Sequence, residues 1–127
     1  MKTNDLTYEI INCVLEVHNF LGPGLLESVY QKALIHELKL RGFKIDYEVP
    51  IEIYYKDINV GDSLRLDILA NEEIVIELKS VENVLPVHKK QLLTYLRLLD
   101  LEVGLLINFN VSLLKEGITR IVNNYIE

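Results

Sequence analysis

The chain has 127 residues, 50% of them hydrophobic and 25% charged, with a formal net charge of −6 at pH 7. That suits one domain spanning residues 1–127 with a real core, and it excludes a disordered chain. The acidic balance excludes a protein that coats nucleic acid by charge alone, and no apolar run approaches the roughly 20 residues of a membrane span.

The N-terminal stretch Met1-Lys2-Thr3-Asn4-Asp5 leads into an amphipathic pattern and is not a secretory signal. Leu6, Ile10, Cys13, Val14, Val17 and Phe20 recur at helical spacing, which predicts a helix over residues 5–20 with Asn4 or Asp5 as its N-cap. Cys13 is the single cysteine. It forms no internal disulfide, reads as a packing residue, and fits a reduced cytoplasmic setting. Gly22-Pro23-Gly24 ends this helix. A second follows over 25–40, with Leu26, Val29, Tyr30, Ala33, Leu34 and Leu38 on one side and Gly42 as its C′ residue.

Three strands are then predicted, over 44–55, 60–70 and 73–80, the first bent at Pro50 and lying at a sheet edge. Pro86 opens a third helix with Leu92, Leu93, Leu96 and Leu99 as its apolar side. Residues 102–109 read as a buried strand, and Ile118–Val122 as a short last one. Strand, helix and strand over 73–109 form a βαβ unit, so its two strands should be parallel. The order α-α-β-β-β-α-β-β implies an α/β fold with a mixed sheet flanked by helices.

The chemistry concentrates in the second and third strands. Asp67 lies in the apolar run Leu64–Ala70, and Glu77 and Lys79 end the run Ile74–Lys79. Charges inside such strands are costly without partners or a metal. Glu77 and Lys79 share a face because alternate strand residues do. If Asn71-Glu72-Glu73 is wholly a loop, Ala70 pairs with Ile74 and Asp67 falls opposite Glu77, with Cβ atoms about 5 Å apart. A two-residue loop would put Asp67 against Ile76 instead. Two carboxylates and an ammonium so placed form a minimal site for metal-assisted phosphodiester cleavage, with the Leu78 carbonyl as a further oxygen ligand. The plain alternative is an exposed cross-strand salt bridge contributing about 0–1 kcal/mol.

Glu27, early in helix two, would add a third carboxylate; alternatively it stabilises the helix N-terminus as a first-turn acid. His88, Gln91 and Tyr95 fall on one helical face, opposite much of the Leu stripe, near the carboxyl end of the Glu-x-Lys strand where α/β sheets collect sites. Gln91 and Tyr95 could bind phosphate or a nucleotide edge, or the face could be solvated with a half-buried Tyr. Arg65 shares a face with Asp67 and pairs either with it or with substrate. The sequence contains no Cys/His zinc pattern, no glycine-rich phosphate loop and no G-x-S-x-G elbow.

These residues together resemble a known family. Gly24-Leu25-Leu26-Glu27-Ser28-Val29-Tyr30 matches the motif that names the bacterial GxxExxY proteins. The likeness continues through Arg65-Leu66-Asp67, Ile76-Glu77-Leu78-Lys79, the segment His88–Leu96, and Gly104–Phe109. That family is similar to the PD-(D/E)XK nucleases, whose core order α-β-β-β-α-β agrees with the order read from helix two onward. The resemblance implies a restriction-endonuclease-like fold and a nuclease that hydrolyses DNA phosphodiesters with Mg²⁺ or Mn²⁺. It implies Glu27, Asp67 and Glu77 as acids and metal ligands, and Lys79 as the motif lysine. Gln91 and Tyr95 look like the Q-x-x-x-Y element of exonuclease-like members, and would position substrate with His88 and Arg65. Leu66 stands where the motif has Pro. The rival reading is a catalytically silent nuclease-fold module that binds nucleic acid or protein. Sequence recognition usually buries about 1,000 Å² or more, and a homodimer would enlarge this small footprint.

Overall fold

Two helices come first. In the computed structural model, which describes residues 2–125, they are α1 (Thr3–Leu21) and α2 (Glu27–Leu40). Then follow β1 (Ile45–Pro50), β2 (Tyr54–Tyr55), β3 (Ile58–Asn59), β4 (Arg65–Ala70) and β5 (Ile74–Lys79). The chain ends with α3 (Pro86–Leu99), β6 (Val103–Asn108), a 3-10 turn (Leu114–Gly117) and β7 (Ile118–Val122). Five strands form one sheet in the order β1-β4-β5-β6-β7. Only β5 and β6 run parallel, as the α3 crossover requires. β1 lies at an edge, where Pro50 removes no ladder hydrogen bond from an inner strand.

Each face of the sheet buries its own cluster. On one face Ile68, Ile74, Ile76, Leu78, Leu105 and Ile107 pack against α1 and α2 through Leu6, Ile10, Cys13, Val14, Leu34 and Leu38. On the other, Leu66, Val75 and Leu106 pack against Leu92, Tyr95 and Leu96 of α3. β5 and β6 are buried on both sides, which explains their nearly continuous apolar sequence. This is a mixed α/β fold of the restriction-endonuclease-like kind. No helix among the described residues is long and apolar enough to cross a membrane.

Several boundaries differ from the sequence expectation. α1 starts at Thr3, so neither Asn4 nor Asp5 caps it; Lys2 holds the cap position in extended backbone without a side-chain cap. The strand expected over 44–55 stops at Pro50, and residues 54–59 form a separate hairpin of β2 and β3. Lys56 and Asp57 adopt φ of 47° and 71°, the left-handed pair that a two-residue primed turn needs. The strand expected over 60–70 starts only at Arg65, because Leu64 N–H turns back to the Gly61 carbonyl at 2.9 Å. Gly42 does close α2 at φ 89°. Its N–H bonds Lys39 O, and Phe43 N–H bonds Leu38 O, which together make a Schellman end.

Candidate active site

The β4–β5 hairpin sets the site. Asn71-Glu72-Glu73 are all outside the strands, and Ala70 pairs with Ile74, Leu69 with Val75, and Ile68 with Ile76. The next pair outward in that register is Asp67 and Glu77, but the ladder ends before it. On the other side of β4 the pairing also lapses: Tyr47 pairs with Ile68 and Val49 with Leu66, while Glu48 between them turns to φ 50°. The packing records the result. Ile68 and Ala70 lie in the α1–α2 core, yet Leu66 lies in the α3 core, which strict alternation forbids. β4 therefore rotates at Asp67.

That rotation turns the Asp67 carboxylate into the gap between the strands. Its Oδ2 accepts the Leu78 N–H at 2.8 Å, and the Asp67 N–H donates to Glu77 Oε1 at 3.3 Å. The Leu78 carbonyl points the same way. Phe109 N–H uses the Lys79 carbonyl on the β6 side at 3.0 Å, so strand alternation directs the Leu78 carbonyl toward the β4 side, where the ladder has ended. Glu77 is 8% exposed. Burial, first, and the neighbouring Asp67 carboxylate, second, push its carboxyl up to about 9, while the Asp67 N–H and Lys79 oppose the rise. Lys79 is half-buried and has no carboxylate within ion-pair distance among the described residues.

Glu27 approaches from the other face. It is the first residue of α2 and its Oε1 accepts the Ser80 N–H at 3.3 Å, just past the end of β5. The Gly22–Leu25 loop that delivers it is fastened by Tyr30, whose hydroxyl donates to Gly22 O at 2.5 Å and accepts from Leu25 N–H at 3.1 Å. The Tyr30 ring stacks on Phe109 at 4.2 Å and 3°. A cavity of about 200 Å³ opens here, lined by Glu27, Ser28, Gln31, Glu48, Asp67 and Leu78. Glu77 lies behind Asp67 rather than on the cavity wall. Tyr30→Phe keeps the stack and removes both loop bonds. It should cost about 1 kcal/mol in urea unfolding, with the loop amides losing hydrogen-exchange protection.

A scan against family models matches residues 4–121 to the PD-(D/E)XK nuclease superfamily. The chain belongs to that superfamily. No curated protein and no solved structure matches it. PD-(D/E)XK nucleases act on nucleic acid and generally use divalent metal ions. The donors present here fit such an ion. Two carboxylates meet where one is too buried to carry charge unaided, and a backbone carbonyl faces the same gap; hard oxygen donors suit Mg²⁺ or Mn²⁺. Among the described residues, however, no three Asp, Glu, His or Cys side chains gather closely enough to cage an ion by themselves. Mg²⁺ commonly retains waters and takes only one or two carboxylates, so Asp67 and Glu77 would be the residues to hold such an ion, with Glu27 on the cavity side.

The α3 residues divide. Tyr95 does not lie opposite the Leu stripe: it is buried between Leu92 and Leu96, its neighbours at i−3 and i+1. Burial, then the charges of Glu77 and Asp67, raise its phenol above the usual range. Gln91, one turn earlier, is exposed. His88 Nδ1 accepts the Leu85 N–H at 3.1 Å and so caps the first turn of α3. Arg65 does not pair with Asp67; its guanidinium donates to the Asp62 and Leu64 carbonyls, both at 2.8 Å, and it is exposed. Sequence reading missed Gln31 and Glu48 on the cavity wall. Gln31 was within reach of it, since i and i+4 residues share a helix face and Glu27 is its partner. Glu48 carries no local signal.

Proposed function

We propose that this PD-(D/E)XK domain, of the GxxExxY branch, is a Mg²⁺- or Mn²⁺-dependent nuclease that hydrolyses DNA phosphodiester bonds in the cytoplasm. The observation that carries this reading is the Asp67–Glu77 carboxyl pair, in which the buried Glu77 carboxyl is held protonated near neutral pH and a bound cation would let it ionise beside Asp67. A bound cation supplies positive charge to the phosphate and acidity to an attacking water. Asp67, Glu77 and the Leu78 carbonyl hold that position, and Glu27 closes the cavity side. Lys79 shares the Glu77 face and stabilises the charge that grows on the phosphate oxygens as water adds to phosphorus and the P–O bond to the leaving strand breaks. Gln91, exposed on α3, positions the strand, with the buried Tyr95 backing it from the core and His88 and Arg65 at the same end of the sheet.

The test is direct. Purified protein with Mn²⁺ should cleave DNA, EDTA should stop it, and Asp67→Asn should weaken Mn²⁺ binding by calorimetry at least tenfold, in line with about 10–100-fold losses on weakening a metal's ligand environment. Failure to cut DNA or RNA of any form, with no heat of Mn²⁺ binding, removes the enzymatic reading. The net charge of −6 and the lack of a three-ligand cage among the described residues favour a second reading, a silent module that binds nucleic acid or protein, alone or as a homodimer. Calorimetry separates the two before any substrate is known.

A further inference from the structure

We propose that Gln31 is a positioning residue for Asp67, with Glu48 as its anchor. This rests on the metal-site reading above and adds to it the device that aims the acid. Asp67 lies where β4 has no ladder pair on either side. A backbone group at such a point needs another partner, and side chains supply both. Glu77 takes the Asp67 N–H, and Gln31 Nε2 donates to the Asp67 carbonyl at 3.0 Å. The second proton of the same amide goes to Glu48 Oε1 at 2.9 Å. An amide nitrogen has two donors, so both are used, and the two acceptors belong to the two residues at which the β1–β4 ladder lapses. Gln31 therefore bridges the irregular points of two strands and fixes the rotation that carries the Asp67 carboxylate to Leu78 N–H. Glu48 serves as an acceptor for the amide rather than as a ligand, so its charge is dispensable and its oxygen is not.

The Leu78 amide reports on this geometry without any metal, because its N–H donates to Asp67 Oδ2. In Gln31→Leu, which keeps bulk and loses both donors, Leu78 should exchange with solvent about tenfold faster by NMR. Mn²⁺ affinity should fall about tenfold, as for other losses of ligand-orienting bonds, and kcat should drop with KM little changed. Gln31→Glu places an acceptor against two acceptors and should lose more; it stands as the second variant if Gln31→Leu folds poorly. Glu48→Ala should behave like Gln31→Leu, and Glu48→Gln should restore Leu78 protection and Mn²⁺ affinity. Unchanged Leu78 exchange in both Gln31 variants overturns the proposal, as does Glu48→Gln being as impaired as Glu48→Ala. If the native protein binds no Mn²⁺, the metal reading fails, while the Leu78 amide still answers for Gln31.

Discussion

Glu77→Gln should stabilise the metal-free protein at pH 8 while removing its affinity for Mn²⁺. The fold holds the Glu77 carboxyl up at about 9, against an ordinary value of 4.5. Above pH 4.5 the unfolded chain releases this proton and the folded chain retains it, so folding must take up a proton. Stability from this group is thus greatest below pH 4.5 and falls as pH rises toward 9, by at most about 1.4 kcal/mol per pH unit. Glutamine is neutral at every pH, can donate an N–H to Asp67, and retains an oxygen for the Asp67 N–H. The melting temperature should therefore rise by about 5 °C or more at pH 8, and the gap to the native protein should close toward pH 4.5. Thermal melts of both proteins between pH 4.5 and 9, with EDTA present, measure it. A Gln variant less stable than the native chain at pH 8 would sink the account of a destabilised acid awaiting a cation.

Lys79→Ala should lower kcat by about 10²–10³-fold, the usual loss when one donor to a developing oxyanion is removed. Its effect on folding should be small, within about 3 °C, because the ammonium forms no ion pair at 4.0 Å or less among the described residues. The same variant carries an electrostatic signature. Lys79 holds the Glu77 carboxyl down, so its loss should move the Glu77 titration further up. The fall of metal-free stability with pH should then keep the same slope but continue to a higher pH before levelling off. Loss of activity without that shift would place Lys79 too far from Glu77 to act beside it.

Much of this arrangement was legible from local rules. A three-residue polar loop between two apolar runs determines that Asp67 faces Glu77, and the βαβ spacing determines that β5 and β6 are parallel. The rest depends on distant contacts. The Asp67 rotation arises from Glu48 and Gln31, which lie on other elements and leave no mark in the β4 sequence. Tyr95 looked like part of a polar face because His88 and Gln91 align with it, yet it falls beside Leu92 and Leu96 and packs with them. The hairpin of β2 and β3 was hidden because Lys56-Asp57 makes its left-handed turn without the glycine that usually announces one.

The kink at Glu48 has a second consequence, for the behaviour of the sheet as a polymer surface. A flat outer strand is a template onto which another chain can add and seed a fibril. β1 is a poor template: its backbone reverses hand at Glu48, Pro50 offers no amide proton, and Asp46 and Glu48 put like charges along it. The distortion that points a carboxylate inward thus also protects this side of the molecule from growth by strand addition.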